Sequence, residues 1–180
     1  MTKVAVIIGS TRPGRLAPQV AEWFMERTKN NTDVEFELVD IADYNLPLLD
    51  EDQPAKVSLP HTVKWSKKIS SFDGYVFVTA EHNHAFPASL KNAIDYLNQE
   101  WSHKPVGYVG YGWAGGYRAI ESLRTIAAQF SQYDLREEVN VFIDGSGVHK
   151  ATDNDIFHAD ALVKSIAFWA NEFVPIRKKL

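Results

Sequence analysis

Three short runs of almost uninterrupted apolar residues constrain the fold of this chain more than any other feature of its sequence. They occupy residues 4–8, 75–79 and 105–111. Runs of this length suit strands that are buried on both faces, which is the usual environment in a parallel sheet. Two further segments, 34–39 and 138–143, alternate apolar with polar residues, a pattern typical of strands that meet water on one side or at an edge.

Amphipathic helical patterns separate the five predicted strands. Apolar residues recur at helical spacing within segments 16–24, 61–71, 90–101, 120–130 and 156–174. This alternation indicates a doubly wound α/β fold. Because only strands two and five carry an edge pattern, the order 2-1-3-4-5 is favoured over the dinucleotide-binding order 3-2-1-4-5-6. The sequence therefore predicts a flavodoxin-like, five-stranded parallel sheet in a single domain over residues 1–180.

Composition narrows the chemistry open to such a domain. The chain has no cysteine, which excludes disulfides, thiol nucleophiles, iron–sulfur clusters and cysteine-ligated zinc. Its net charge of −4 argues against a nucleic-acid partner, because neutralising phosphates requires a basic surface. No apolar run is long enough for a membrane helix, and no secretory signal opens the sequence. We therefore expect a cytoplasmic protein that binds neither nucleic acid nor a membrane.

The loop after the first strand carries the features of an anion site. In such a sheet, ligands bind beyond the carboxyl ends of the strands, beside the switch point between strands one and three. Residues 9–15 follow strand one, and four of them bear donors that suit a phosphate: Ser10, Thr11, Arg12 and Arg15. The spacing nearly matches a P-loop, but Arg15-Leu16 replaces its Lys-Ser/Thr pair. An ATPase is therefore disfavoured, and a polar helix-capping turn is the simpler alternative.

Two more loops follow the strands predicted beside this one. The loop after strand three contains His82 and His84, which form either a metal-binding pair or two exposed histidines; Glu81 or Asp95 would supply a third ligand. The loop after strand four fits the pattern G-x-G-x-x-G from Gly110 to Gly115. Too little chain remains for a second dinucleotide-binding half. We interpret this loop as a glycine-rich turn that lets the backbone approach a flat ligand.

Taken together, these loops give the sequence a resemblance to the NADPH-dependent FMN reductase family. Residues 9–15 look like the family's phosphate loop, and residues 112–116 are similar to its third loop. The most specific likeness runs from residue 73 to residue 96, where Leu-Lys-Asn-Ala-Ile-Asp resembles a family signature. The sequence departs from the family where Ala80 replaces a usual proline and His82 a usual tyrosine. His84 and Phe86 also stand where smaller residues are common.

The resemblance implies a cofactor and a reaction. FMN would bind through its phosphate to Ser10, Thr11, Arg12 and Arg15. Its ring would be bordered by two backbone segments, whose residues are Glu81, His82, Asn83 and His84 in one and Gly112, Gly115 and Gly116 in the other. NADPH or NADH would deliver a hydride, and the electrons would pass on to a flavin, quinone or azo-type acceptor. No catalytic side chain and no metal ligand is implied, because the cofactor carries the chemistry.

Two other functions stay open at this point. A non-enzymatic FMN electron carrier would share the fold and cofactor, although such carriers are commonly far more acidic than −4. A metal-dependent hydrolase would use His82 and His84. The resemblance also implies a homodimer or a tetramer, for which Tyr96, Leu97 and Trp101 are bulky enough to form an interface.

Overall fold

The computed structural model describes residues 1–49, 59–148 and 151–180. A surface loop is predicted over residues 43–56, and its residues 50–56 lie outside the described part of the chain. The elements, in chain order, are β1 (Lys3–Ile8), α1 (Ala17–Thr28), β2 (Glu35–Asp40), a short 3₁₀ helix (Ile41–Tyr44), α2 (Pro60–Ser70), β3 (Gly74–Ala80), α3 (Ala88–Asp95), β4 (Pro105–Gly112), α4 (Tyr117–Gln129), β5 (Tyr133–Asp144), β6 (Gly147–Val148) and α5 (Asp153–Arg177). None of these helices has the length and apolar character needed to cross a membrane.

The strand order is β2-β1-β3-β4-β5-β6, and the first five strands are parallel. This confirms the predicted order 2-1-3-4-5. The prediction lacked β6, a two-residue strand that pairs antiparallel with the end of β5, because two residues carry no periodic signal. It also began β5 five residues late, since Tyr133 starts this strand and a register shift beside Val106 and Tyr108 interrupts its pairing with β4.

Helices cover both faces of the sheet and create two separate cores. On one face, α1 and α5 pack against the strands through residues such as Phe24, Leu162 and Ile166. On the other face, α2, α3 and α4 bury a core that includes Trp65 and Ile120. Strands β1, β3 and β4 are buried along almost their whole length, which explains their solid apolar sequences. The carboxyl ends of these three strands therefore lie together at one edge of the sheet.

The residues suggested for a subunit interface are instead part of this second core. Helix α3 ends at Asp95, earlier than the apolar pattern predicts, and the following turns fold back under the sheet. Trp101 is 1% exposed and its indole Nε1 donates to the Ile94 carbonyl at 3.0 Å. Tyr96 and Leu97 are also buried. The interpretation of these three side chains as interface residues is wrong for the described structure, since each already packs inside the domain.

One charged side chain is buried at the opposite edge of the sheet. Lys104 precedes β4 and is 6% exposed; its Nζ donates to the Tyr75 hydroxyl at 2.7 Å. Burial, together with the positive charge of Arg177, lowers the pKa of Lys104 to about 8, although Asp73 and Glu100 oppose the shift. The folded protein therefore holds this proton less tightly than the unfolded chain does.

We expect the free energy of unfolding to rise with pH between about 8 and 9, below the pH at which the tyrosines of the unfolded chain lose their protons. In that window the unfolded lysine keeps its proton while the folded one loses it, so that raising the pH favours the folded state. One proton gives a slope of at most about 1.4 kcal/mol per pH unit. Urea denaturation across this range tests the expectation. Lys104→Met should remove the rise and Lys67→Met, at an exposed position, should keep it; a rise that persists in Lys104→Met contradicts the assignment.

Candidate active site at the carboxyl edge of the sheet

The loops after β1, β3 and β4 meet around one cavity of about 150 Å³, which we call the carboxyl-edge cavity. Its lining residues are Ser10, Arg12, Arg15, Leu16, Ala80, Glu81, His82, Tyr111, Gly112, Trp113 and Ile143. A second cavity of about 390 Å³ is lined by Thr11 of the first loop together with residues that include Asn45, Ser89 and Asn92. The fold thus brings together the three loops that the sequence singled out.

The match between predicted and lining residues is partial. Of the predicted residues, Ser10, Arg12, Arg15, Glu81, His82 and Gly112 line the carboxyl-edge cavity. Thr11 lines the second cavity instead, and four residues line neither: Asn83, His84, Gly115 and Gly116. Sequence reasoning missed Tyr111 and Trp113 as wall residues. Their position on either side of Gly112, at the end of a buried strand, was the available signal.

Contacts with neighbouring elements fix the path of the first loop. The Gly9 amide donates to the Val78 carbonyl at 2.9 Å, and the Ser89 hydroxyl donates to the Gly9 carbonyl at 2.7 Å. A Cβ at Gly9 would lie 2.9 Å from the Leu90 side chain and 3.1 Å from the Val78 carbonyl oxygen, so a larger residue would require these neighbours to shift. Ser10 is buried, and its interaction with Tyr111 partly opposes the effect of burial, which raises the pKa of Tyr111 to about 12. The tyrosine therefore stays neutral as part of the wall.

The two arginines of this loop have different environments. The Arg15 guanidinium forms an ion pair with Asp40 at the end of β2, and its Nε is buried with no hydrogen-bond partner. Arg12 is exposed, and within the described residues its side chain has no carboxylate or carbonyl partner. Helix α1 begins without a side-chain cap and without an acidic residue in its first turn. The loop therefore offers one uncompensated cation beside an uncapped helix start, which is an environment that attracts an anion.

The second loop is a tight hairpin turn. The His82 amide donates to the Ala85 carbonyl at 2.7 Å, and the Ala85 amide donates back to His82 at 3.0 Å. Asn83 and His84 between them have φ of 51° and 67°, as a type I′ turn requires. Left-handed conformations at two successive non-glycine residues are uncommon, and such strain is concentrated at functional loops.

The environment of the two histidines differs from that of a metal centre. Burial lowers the pKa of His82, and the positive charge of Arg12 lowers it further, so the ring is mainly neutral near pH 7. His84 is exposed at the tip of the turn. Across residues 1–49, 59–148 and 151–180, no three histidine, aspartate or glutamate side chains form a group that could hold a metal ion. Glu81, suggested as a third ligand, is instead bound to Arg118 at 2.6 Å.

Backbone conformation and packing within the protein explain why glycine occupies positions 115 and 116 of the third loop. Gly115 and Gly116 are buried with φ of +69° and +77°. A Cβ at Gly116 would lie 2.6 Å from the Tyr111 amide nitrogen, and one at Gly115 would lie 3.1 Å from Asn140. These glycines allow the loop to pack back on β4 and β5. Gly112 and Trp113 form the part that faces the cavity, and Trp113 is 71% exposed.

Comparisons with known proteins agree with this geometry. An NAD(P)H-dependent FMN reductase of Schizosaccharomyces pombe is 40% identical over 130 residues, which cover 69% of this chain and 65% of that protein. The match thus spans slightly less than two thirds of that relative. A quinone reductase of Pseudomonas putida is 34% identical over 128 residues, covering 67% of each chain.

A solved structure and a family profile complete the comparison. The flavoenzyme NAD(P)H:(acceptor) oxidoreductase FerB of Paracoccus denitrificans superimposes with a TM-score of 0.79 at 20% identity, covering 96% of this chain and 99% of that one. This similarity shows the fold. The profile described as NADPH-dependent FMN reductase matches residues 2–144, which include all three loops around the cavity. The chain therefore belongs to the NADPH-dependent FMN reductase family.

Proposed function

We propose that this protein binds FMN at the carboxyl-edge cavity and is an oxidoreductase that takes a hydride from NAD(P)H and passes the electrons to small acceptors. The observation that carries the proposal is the convergence of the three family loops on one cavity, with an uncompensated Arg12 at its rim. The quinone reductase relative supports quinones as one acceptor class, and flavins and azo compounds are further candidates.

The residues around the cavity fit both the phosphate and the flat ring of FMN. The phosphate would take the cationic position beside Arg12, with the Ser10 and Thr11 hydroxyls and the loop amides as further donors. Arg15 would contribute through its guanidinium edge while Asp40 holds it in place. The flat ring would lie against the 81–84 turn, of which Glu81 and His82 line the cavity, and against Gly112.

The protein's own groups would bind and orient the cofactor, not transfer protons. When bound, FMN supplies the ability to accept a hydride and to release electrons to a second substrate. His82 is mainly neutral and Tyr111 holds its proton firmly, so neither adds a charge that titrates near pH 7. These roles require no acid, base or metal from the chain.

Flavin binding and turnover test this proposal directly. We expect the purified protein to show the two visible absorption bands of a flavin, and FMN added to the apoprotein to raise its melting temperature. Steady oxidation of NADPH or NADH with a quinone or free flavin would distinguish the enzyme from an electron carrier. Failure to bind FMN, or binding without steady turnover, would contradict the proposal.

Replacing both histidines distinguishes an FMN-dependent enzyme from a metal-dependent hydrolase. We expect His82→Ala combined with His84→Asn to retain FMN binding, because the substitutions leave the backbone of the turn in place and asparagine tolerates the positive φ at position 84. NADPH oxidation should fall by no more than about tenfold, a barrier change of about 1.4 kcal/mol. Wild-type turnover should be unaffected by EDTA. Complete loss of turnover in the variant together with EDTA sensitivity would instead indicate a catalytic metal.

Assembly and location rest on the resemblance and the sequence. We propose a homodimer or a tetramer in the cytoplasm, with small molecules as the reaction partners. Since Tyr96, Leu97 and Trp101 are buried inside the domain, any interface must use other side chains. Light scattering of the purified protein measures the number of subunits.

A further inference from the structure

One ion pair joins a wall of the carboxyl-edge cavity to the start of α4. The Glu81 carboxylate, in the second loop, accepts from the Arg118 guanidinium at 2.6 Å and from the Arg118 backbone amide at 3.2 Å. The Glu81 amide donates to the Tyr111 carbonyl at 3.1 Å, next to Gly112. The carboxylate side chain is 9% exposed, whereas that of Arg118 is 49% exposed. Glu81 thus contacts the third loop and the start of α4 through both backbone and side chain.

The carboxylate also supplies a cap that α4 lacks in its own sequence. Gly116 at the N-cap position has no side chain, and the first turn of α4 contains no acidic residue. Arg118 is the second residue of this helix, so its amide is one of the donors that have no partner within the helix. A carboxylate at this position interacts favourably with the helix dipole. Glu81 therefore holds the second loop against α4 by electrostatic attraction as well as by hydrogen bonds.

We propose that Glu81 and Arg118 are a positioning pair that neutralises this wall of the cavity, so that removing either charge alone shifts the reduction potential of bound FMN, in opposite directions. The inference rests on the proposed function, FMN binding in this cavity. Accepting a hydride adds two electrons and one proton, which leaves the ring system with one more negative charge. An uncompensated Glu81 carboxylate disfavours that charge, whereas an uncompensated Arg118 guanidinium favours it.

The test compares the dissociation constants of oxidised and reduced FMN in matched variants. Arg118→Gln should raise the ratio of the reduced to the oxidised constant about tenfold, and Glu81→Gln should lower it about tenfold. A tenfold change equals about 30 mV for a two-electron couple, which potentiometric titration measures independently. The double variant and Arg118→Lys should both return close to the wild-type ratio.

A control variant separates this effect from a general change in charge. Lys91→Gln removes one positive charge from the exposed Lys91–Asp95 pair on α3, outside both cavities, and should leave the ratio unchanged. A purely structural role would weaken both oxidation states equally and leave the ratio at the wild-type value. If Glu81→Gln does not fold, the ratio of dissociation constants is compared between Arg118→Gln and Arg118→Lys, because both variants leave Glu81 in place.

The outcomes distinguish this inference from the proposed function. If wild-type protein binds FMN and the two single variants shift the ratio in the same direction, or no further than Lys91→Gln does, the inference is wrong. A folded Arg118→Gln that no longer binds FMN in either state also overturns it. If the wild-type protein itself does not bind FMN, the proposed function is wrong, and this inference with it.

Discussion

Gly116→Ala is expected to destabilise the protein by about 3–5 kcal/mol, because backbone strain and overpacking act together at this position. Its φ of +77° is unfavourable for alanine, and the added Cβ would lie 2.6 Å from the Tyr111 amide and 2.7 Å from the Gly110 Cα. Both neighbours are backbone atoms of β4, in the middle of the sheet, so neither can move aside easily. Urea denaturation of the apoprotein measures the loss.

Gly14→Ala provides the matched control. Gly14 has a similar φ of +69°, but nothing lies within 4 Å of the Cβ it would gain. We expect a loss of only about 1–2 kcal/mol, the cost of a left-handed conformation alone. Equal denaturation midpoints for the two variants would show that the close approach of the third loop to β4 is not what requires glycine at position 116.

Arg12→Ala is expected to weaken FMN binding by about 1.5–3 kcal/mol, the range for a hydrogen bond that involves a charged group. This corresponds to a roughly 10- to 150-fold higher Kd. Because the Arg12 side chain has no partner among the described residues, the apoprotein should melt at the wild-type temperature. Flavin fluorescence titration measures the affinity.

Two other arginines show whether the effect is specific to position 12. Arg136→Ala removes an exposed arginine on β5 that lines neither cavity and should leave the Kd unchanged. Arg15→Ala should lower stability as well as affinity, because it leaves Asp40 without its partner. If Arg12→Ala and Arg136→Ala bind FMN equally well, Arg12 does not contact the cofactor.

Much of the fold follows from local sequence pattern. Strands β1, β3 and β4 are recognisable because a parallel strand covered on both faces must be apolar throughout, and β2 because an edge strand must alternate. The strand order follows from the same contrast. The loop after each central strand is then placed at one edge, since all parallel strands end on the same side. The family resemblance added the expectation of FMN at a cavity whose location the pattern had already predicted.

The tertiary structure alone decided the role of individual side chains. Nothing local distinguishes Arg12 from Arg15, yet Asp40, 25 residues further along the chain, binds only the second. The sequence pattern places Trp101 on the surface of a helix. In the structure, α3 ends at Asp95 and Trp101 is buried. The sequence suggests Glu81 as a metal ligand or as a neighbour of the FMN ring. In the structure, its carboxylate is instead bound to Arg118 of α4. Such assignments depend on contacts between distant parts of the chain, and a sequence pattern with a period of two or 3.6 residues contains no information about them.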